Sequence, residues 1–175
     1  MYAFITIIGQ KNDLLTKNAL NSEEVCKLFP DSVCDIQRDS SYIYSFKHMV
    51  KIPLDPQRKC PIGPRNHSPI NIVKSFDVSS PLLYKALISG EIITECTIKW
   101  YRFCKEGQPH HYFTHLLEDA IISKISYDMT NIHKLGVIEE KHFETIEITY
   151  RKLSLIHETA MIVVEDDKFS AFEET

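Results

Sequence analysis

Along most of this chain apolar and polar residues alternate with a period of two, the spacing that sends successive side chains to opposite faces of a β-strand. Tyr2 to Ile8 alternates loosely and is rich in β-branched and aromatic residues, which predicts a first strand. Tyr42 to Ile52 alternates more cleanly, with Tyr42, Tyr44, Phe46, His48 and Val50 on one face and Ser45, Lys47 and Lys51 on the other. Ile70, Ile72 and Phe76 belong to a short apolar run that starts just after Pro69, where a strand can begin without the missing N–H. Glu91 to Cys104 reads as a long strand, with Cys96, Ile98 and Trp100 opposed to Thr97, Lys99 and Tyr101. A turn at Lys105 to Gln108 leads into His111 to Met129, one or two strands broken near Glu118-Asp119, so a hairpin is predicted. Thr130 to Lys141 reads as a polar loop, and His142 to His157 as a last long strand with Ile146, Ile148 and Tyr150 on one face. Ala160 to Val164 adds a short strand, and the tail from Glu165 to Thr175 is expected to fray.

Three stretches depart from the period of two. From Asp77 to Gly90, Asp77, Ser79 and Ser80 offer oxygens to the free amides of a first helical turn, and Pro81 sits where its fixed φ helps. Leu82, Leu83, Ala86 and Leu87 then recur at helical spacing, and Gly90 supplies the left-handed stop. Lys11 to Asp39 is weaker: Asn21 to Glu24 would cap a short helix through Leu28 before Pro30, or the segment is a loop with strand pieces. Pro53 to Pro69 holds five of the eight prolines and one glycine. Proline stiffens a chain and removes pairing donors, so this stretch reads as a semi-rigid arm reaching another subunit, or as a surface loop without a partner.

Composition narrows the function more by exclusion than by signal. Hydrophobic residues make up 43% and charged residues 25%, ordinary values for a globular chain, and 175 residues suggest a single domain over 1–175. A net charge of −4 argues against nucleic-acid binding, and Lys47, Lys51, Arg58 and Lys59, interrupted by Asp55, read as a solvated loop. No segment has the roughly 20 apolar residues of a membrane span, and the N-terminus lacks a basic region and a cleavage site. The protein is therefore expected to start in the cytoplasm and to be exported, if at all, without a cleaved signal peptide. Five cysteines with no C-x-x-C pair indicate reduced thiols, with Cys60 expected at the surface.

Chemistry is tested next. His110, His111 and His115 resemble a metal cluster, but in a strand His111 and His115 share a face roughly 13 Å apart, too far for one Zn²⁺. Single scattered glycines make neither a P-loop nor a dinucleotide fingerprint, and Glu118-Asp119 reads as a solvated bend. No catalytic residue, cofactor or metal is expected. A ligand-binding barrel is the alternative, against which Phe46, Trp100, Ile146 and Tyr150 are large enough to fill a small barrel.

Several blocks of the chain, in order, resemble the Hcp family, the haemolysin-coregulated proteins of bacterial type VI secretion systems. They are Ile43 to His48, Ile52 to Gln57, His67 to Leu87, Gly90 to Arg102, Gly107 to Ile125 and Glu140 to Leu153. The charged Lys11 to Asp39 segment and a last strand reading Leu153-Ser154-Leu155-Ile156-His157, without tryptophan, depart from the family pattern, as a specialised paralogue would. The resemblance implies a mainly β fold: a compact barrel of two antiparallel sheets with one short flanking helix, similar to a phage tail tube. It implies a homohexameric ring, rings stacked into a hollow tube, a surrounding sheath, a VgrG-type spike, and effector cargo in the lumen. Asp55, Gln57, Arg58, Lys59, Ile62 and Arg65 are then the candidate ring contacts on the arm.

Overall fold

The computed structural model describes residues 1–20, 31–104, 108–129 and 142–168. The predicted helix from Asn21 to Leu28, the turn residues 105–107, the loop from Thr130 to Lys141 and the tail beyond Lys168 lie outside the described residues. Twelve strands and two helices are described: β1 (Tyr2–Gly9), β2 (Asp13–Leu14), α1 (Asp31–Ile36), β3 (Ser41–Ile43), β4 (Ser45–Lys47), β5 (Val50–Lys51) and β6 (Asn66–His67) come first. They are followed by β7 (Ile70–Ser75), α2 (Ser80–Ser89), β8 (Ile93–Phe103), β9 (Pro109–Met129), β10 (His142–Thr149), β11 (Lys152–His157) and β12 (Ile162–Asp167).

All strand pairs are antiparallel. One sheet is built on β1, β8, the first half of β9, β11 and β12; the other on β4, β7, β10 and the second half of β9. The strand β9 therefore belongs to both sheets, and it turns between them at Asp119, whose φ is 50°. On the opposite side β3 pairs with β1 while β4, one residue further on, pairs with β7. The expected barrel is thus two sheets sharing chain at both corners, not one continuous cylinder.

The corners explain where the predicted strands divide. Tyr42 to Ile52 breaks into β3, β4 and β5 because the chain changes partner at Tyr44, and so Ser41 and Ile43, not Tyr42, face the main core. His142 to His157 divides at Tyr150–Arg151, where the Arg151 amide reaches the carbonyls of Glu118 and Asp119 beside the bend in β9. Alternation is kept on each side of the break, with Ile146, Ile148 and Tyr150 buried as predicted.

Between the sheets lies a core of Ile5, Ile7, Ile70, Ile72, Ile98 and Ile146 with Leu83 and Ala86 of α2. Burying a side chain of this kind contributes about 1.5–3 kcal/mol. The opposite face of β1 is covered too: Tyr2 and Phe4 pack with Tyr42, Tyr101, Leu20 and Val33 of α1 in a second, aromatic cluster. That helix and its cluster are additions to the single helix expected.

The helix α2 runs as its sequence signals predict, stopped by Gly90 at φ 60°. Its start differs in detail. Ser79 has helical dihedrals and makes no side-chain cap, and instead Asp77 Oδ1 accepts the Ser79 amide at 2.8 Å while Ser80 Oγ accepts the Asp77 amide at 3.1 Å. Phe76 lies past the end of β7, exposed, edge-on to Tyr127.

The strand β7 continues its inward row from Ile70 and Ile72 to Lys74, which is 1% exposed. Directly across the ladder stands Glu144, 0% exposed, in the row Glu144, Ile146, Ile148 of β10. The Lys74 ammonium lies 2.7 Å from Glu144 and 2.8 Å from Asp77, and Ser80 Oγ donates to Glu144 at 2.6 Å. A buried charge persists only when paired and hydrogen-bonded. This cluster fastens the start of α2 to the sheet.

Candidate assembly interface

The proline-rich arm is a hairpin. Its base is the two-stranded pair β5–β6, with Val50 opposite His67 and Lys51 opposite Asn66. Prolines at 53, 56, 61 and 64 cannot donate, so beyond the base the ladder thins to a Leu54–Pro61 bridge and an Ile62 amide bond to the Pro53 carbonyl at 3.0 Å. At the tip Asp55 Oδ1 accepts the amides of Gln57 and Arg58 at 2.8 and 2.9 Å, and its carbonyl accepts that of Lys59, whose φ is 52°. Those amides hold the Asp55 carboxyl below the usual carboxylate range. The proline-rich stretch is therefore an ordered turn on a short ribbon.

The six predicted contact residues divide by direction. Gln57, Arg58, Lys59 and Ile62 are exposed on the tip, and Asp55 builds the turn that presents them. Arg65 instead folds back on its own subunit, pairing with the Asp166 carboxylate and donating to the Asp167 carbonyl at 2.9 Å. Sequence reasoning missed the apolar members of the arm: Met49, Val50, Ile52 and Leu54 are exposed alongside Ile62. Alternation had assigned Val50 to a buried face, but a ribbon standing off the sheets has none.

Beneath the arm lies a polar node. Tyr150 Oη is 2.8 Å from His48 Nε2 and 2.9 Å from His67 Nδ1, so one hydroxyl ties both strands of the ribbon's base to the barrel. His67 Nε2 faces Asp166 at 3.3 Å, and the Lys168 ammonium sits 3.9 Å above the Tyr150 ring. Burial, then the charges of His67 and Lys168, hold His48 below the ordinary histidine value; burial, helped by Lys168 and Arg65, holds His67 below it, although Asp166 pulls it the other way. Glu165 to Asp167 close β12, and Lys168 packs on Tyr150, so this part of the tail is structured, not frayed.

A second apolar surface lies on β12. Among the described residues it pairs only with β11, and Met161, Ile162, Val163 and Val164 are all more than half exposed. An apolar edge strand with an open backbone ladder is a liability that natural chains cover.

Among the described residues no group of three or more His, Cys, Asp and Glu is placed to hold an ion. The geometry of the histidine run differs from the one expected. A bulge opposite Trp100–Tyr101 lets β9 spend one extra residue, so His111 stacks on Tyr101 at 5.1 Å while His115 turns to Trp100 and Phe46. The two histidines are on opposite sides of the sheet. His115 accepts the Trp100 indole N–H at 2.9 Å, and burial pushes it down to about 4. Thr114, His111 and Glu158 come together as well, but Thr114 donates to Glu158 at 2.5 Å and its oxygen meets His111 Nε2, the same nitrogen that faces Glu158. A relay needs the acid on the other ring nitrogen. Against the ligand-barrel alternative, the inward residues between the sheets pack as an apolar core, and an open groove of about 180 Å³ lies at the surface between Tyr2, Tyr44, Phe46, Trp100 and Tyr112. Among the described residues no helix is long and apolar enough to cross a membrane.

A family model described as type VI secretion system effector, Hcp, matches residues 31–157. The chain belongs to the Hcp family. It is 39% identical over 165 residues to the major exported protein of Pseudomonas aeruginosa, covering 94% of each chain. The fold is similar to a crystal structure of an Hcp protein, with TM-score 0.83 and 30% identity over 95% of this chain and 99% of that one. It is also similar to the secreted protein Hcp3 of Pseudomonas aeruginosa, with TM-score 0.75 and 35% identity over 95% and 97%. The matched range of the family model, residues 31–157, includes the arm.

Proposed function

We propose that this Hcp chain works by assembly alone: one domain over residues 1–175 joins five copies in a ring, and rings stack into the hollow tube of a type VI secretion system. Membership of a family of secreted tube proteins supports this reading, and the observation that carries it is the apolar surface of the subunit. Met49, Val50, Ile52, Leu54 and Ile62 on the arm and Ile162 to Val164 on β12 are exposed in the single subunit. Such surface is retained in a stable protein when neighbouring copies cover it. A heterologous contact that puts one subunit's edge strand against its neighbour closes a ring, leaving the arms to reach the next ring through Asp55, Gln57, Arg58, Lys59 and Ile62.

The reading extends to partners. The tube's outer surface meets a contractile sheath, one end meets a VgrG-type spike, small effectors ride in the lumen, and the tube is exported. No chemistry is assigned to the subunit. Solution mass measurement with negative-stain imaging tests the core of the proposal: six-membered rings are expected, and a strict monomer at high concentration would overturn it. Replacing residues 56–62 by a short glycine-serine link, with Arg65 kept, is expected to abolish stacking while rings and folding persist. Unchanged tubes from that variant would remove the arm from the assembly.

A further inference from the structure

The node under the arm has a directional hydrogen-bond order. His67 Nε2 lies 3.3 Å from Asp166 Oδ2 without a hydrogen bond between them; a carboxylate repels a lone pair turned toward it, so we assign the His67 hydrogen to Nε2, which leaves Nδ1 as an acceptor 2.9 Å from Tyr150 Oη. Tyr150 therefore donates its single hydroxyl hydrogen to His67, and its oxygen accepts from His48 Nε2 at 2.8 Å. The chain runs from His48 through Tyr150 to His67, and it is complete only while His67 is neutral.

We propose that His67 is an acid-sensitive latch, which holds the arm on the barrel when neutral and releases the ribbon's base when protonated. A proton on Nδ1 converts the acceptor of the Tyr150 hydroxyl into a second donor. Tyr150 Oη then faces N–H groups from both imidazoles, and its own hydrogen loses its acceptor in a site where the His67 side chain is 4% exposed. The charged groups around the node decide how this new cation is received. From the arm itself come Arg65 and His48, and from the end of β12 come Asp166 and Lys168, with Lys168 already over the tyrosine ring. His115 of β9, held neutral by burial, is the further titratable neighbour of His48. Among these groups Asp166 alone welcomes the charge; its Oδ1 is taken by Arg65, and its Oδ2 faces Nε2, not the Nδ1 that gains the proton.

The sign follows from those terms. His67 and His48 are both lowered on docking, so docking is fully favoured above their ordinary value of about 6.5 and is lost as pH falls below it. This rests on the geometry of one subunit and does not require the tube.

Hydrogen exchange on the intact chain, corrected for the intrinsic effect of pH, reads the latch. The arm amides of Ile62 and Ser68, which bond to the Pro53 and Met49 carbonyls, are compared with those of β8 and β9. Between about pH 7.5 and about pH 5 the arm is expected to lose protection by roughly tenfold while β8 and β9 hold. His67→Asn puts an uncharged amide oxygen near the Nδ1 position and is expected to keep the arm protected at both values. Tyr150→Phe is expected to loosen the arm at both. A flat wild-type profile, a rise in protection on acidification, or an unchanged acid step in His67→Asn would each overturn the latch. Should His67→Asn be insoluble, the wild-type profile and Tyr150→Phe decide. Native mass measured at each pH separates arm release from dissociation of a ring, so failure of the latch is distinguishable from failure of assembly.

Discussion

The helix α2 and the arm are both appended to the sheets and both fastened through buried polar side chains, yet the fastenings use opposite chemistry. Under the helix, Lys74 is held between Glu144 and Asp77 as a charged cluster within the inward rows of two paired strands. Under the arm, two neutral imidazoles share one tyrosine hydroxyl, and the ion pair of Arg65 with Asp166 stands at the margin, about a quarter exposed on each side. The first cluster loses heavily if either charge is missing, so it keeps the helix in one place under all ordinary conditions. The second depends on two imidazoles that burial holds below the ordinary histidine value. Burial is common to both; what differs is that one fastening is an ion pair and the other a chain of hydrogen bonds between neutral rings.

The sharpest way to break the comparison is to remove Lys74. Lys74→Met leaves Glu144 buried without its cation and is expected to cost about 3–5 kcal/mol, a fall in Tm of roughly 6–20 °C in thermal melts. Lys74→Met combined with Glu144→Leu replaces the pair by packed apolar groups and should recover most of that loss, since it is the unpaired charge that costs. Tyr150→Phe strands two imidazole nitrogens and is expected to cost about 1–3 kcal/mol by denaturant titration. Both histidines are lowered in the fold, so the wild-type chain should lose stability as pH falls below about 6.5. The Lys74/Glu144 double variant should show the same slope; a slope that vanished with the helix cluster would assign the titration there instead. Smallest of all is Glu147→Gln, which breaks the 3.1 Å pair with the exposed Lys124 and should change stability by no more than about 0.5 kcal/mol.

How much of this was legible in the sequence tracks the distance over which each feature is specified. The helix from Ser80 to Ser89 carries its own start and stop within a dozen residues, and it formed where Pro81 and Gly90 place it. The hairpin of β8 and β9 was visible because alternation on both sides of one turn specifies the pairing. The lysine cluster was within reach but unread: continuing the period of two from Ile70 and Ile72 points Lys74 inward, and counting back from Ile148 and Ile146 points Glu144 inward to meet it. His48, His67 and Tyr150 are another matter, since the bonds join residues 102 and 83 positions apart and nothing local marks them. The bulge that separates His111 from His115 likewise inserts one residue that no periodicity reveals. The family resemblance supplied the class of fold, but the break at Tyr44 and the second aromatic cluster around Phe4 are properties of the folded corner.

The strand β9 has a consequence for how the subunit comes apart. Its 21 residues bond β8 and β11 in one sheet and β10 in the other without interruption of the chain at Asp119. Neither sheet can melt alone, because whichever goes first strips backbone partners from a strand the other still needs. Among the described residues the two sheets therefore share one fate, and their loss of structure on heating or in denaturant is expected as a single cooperative transition, with the arm free to open beforehand.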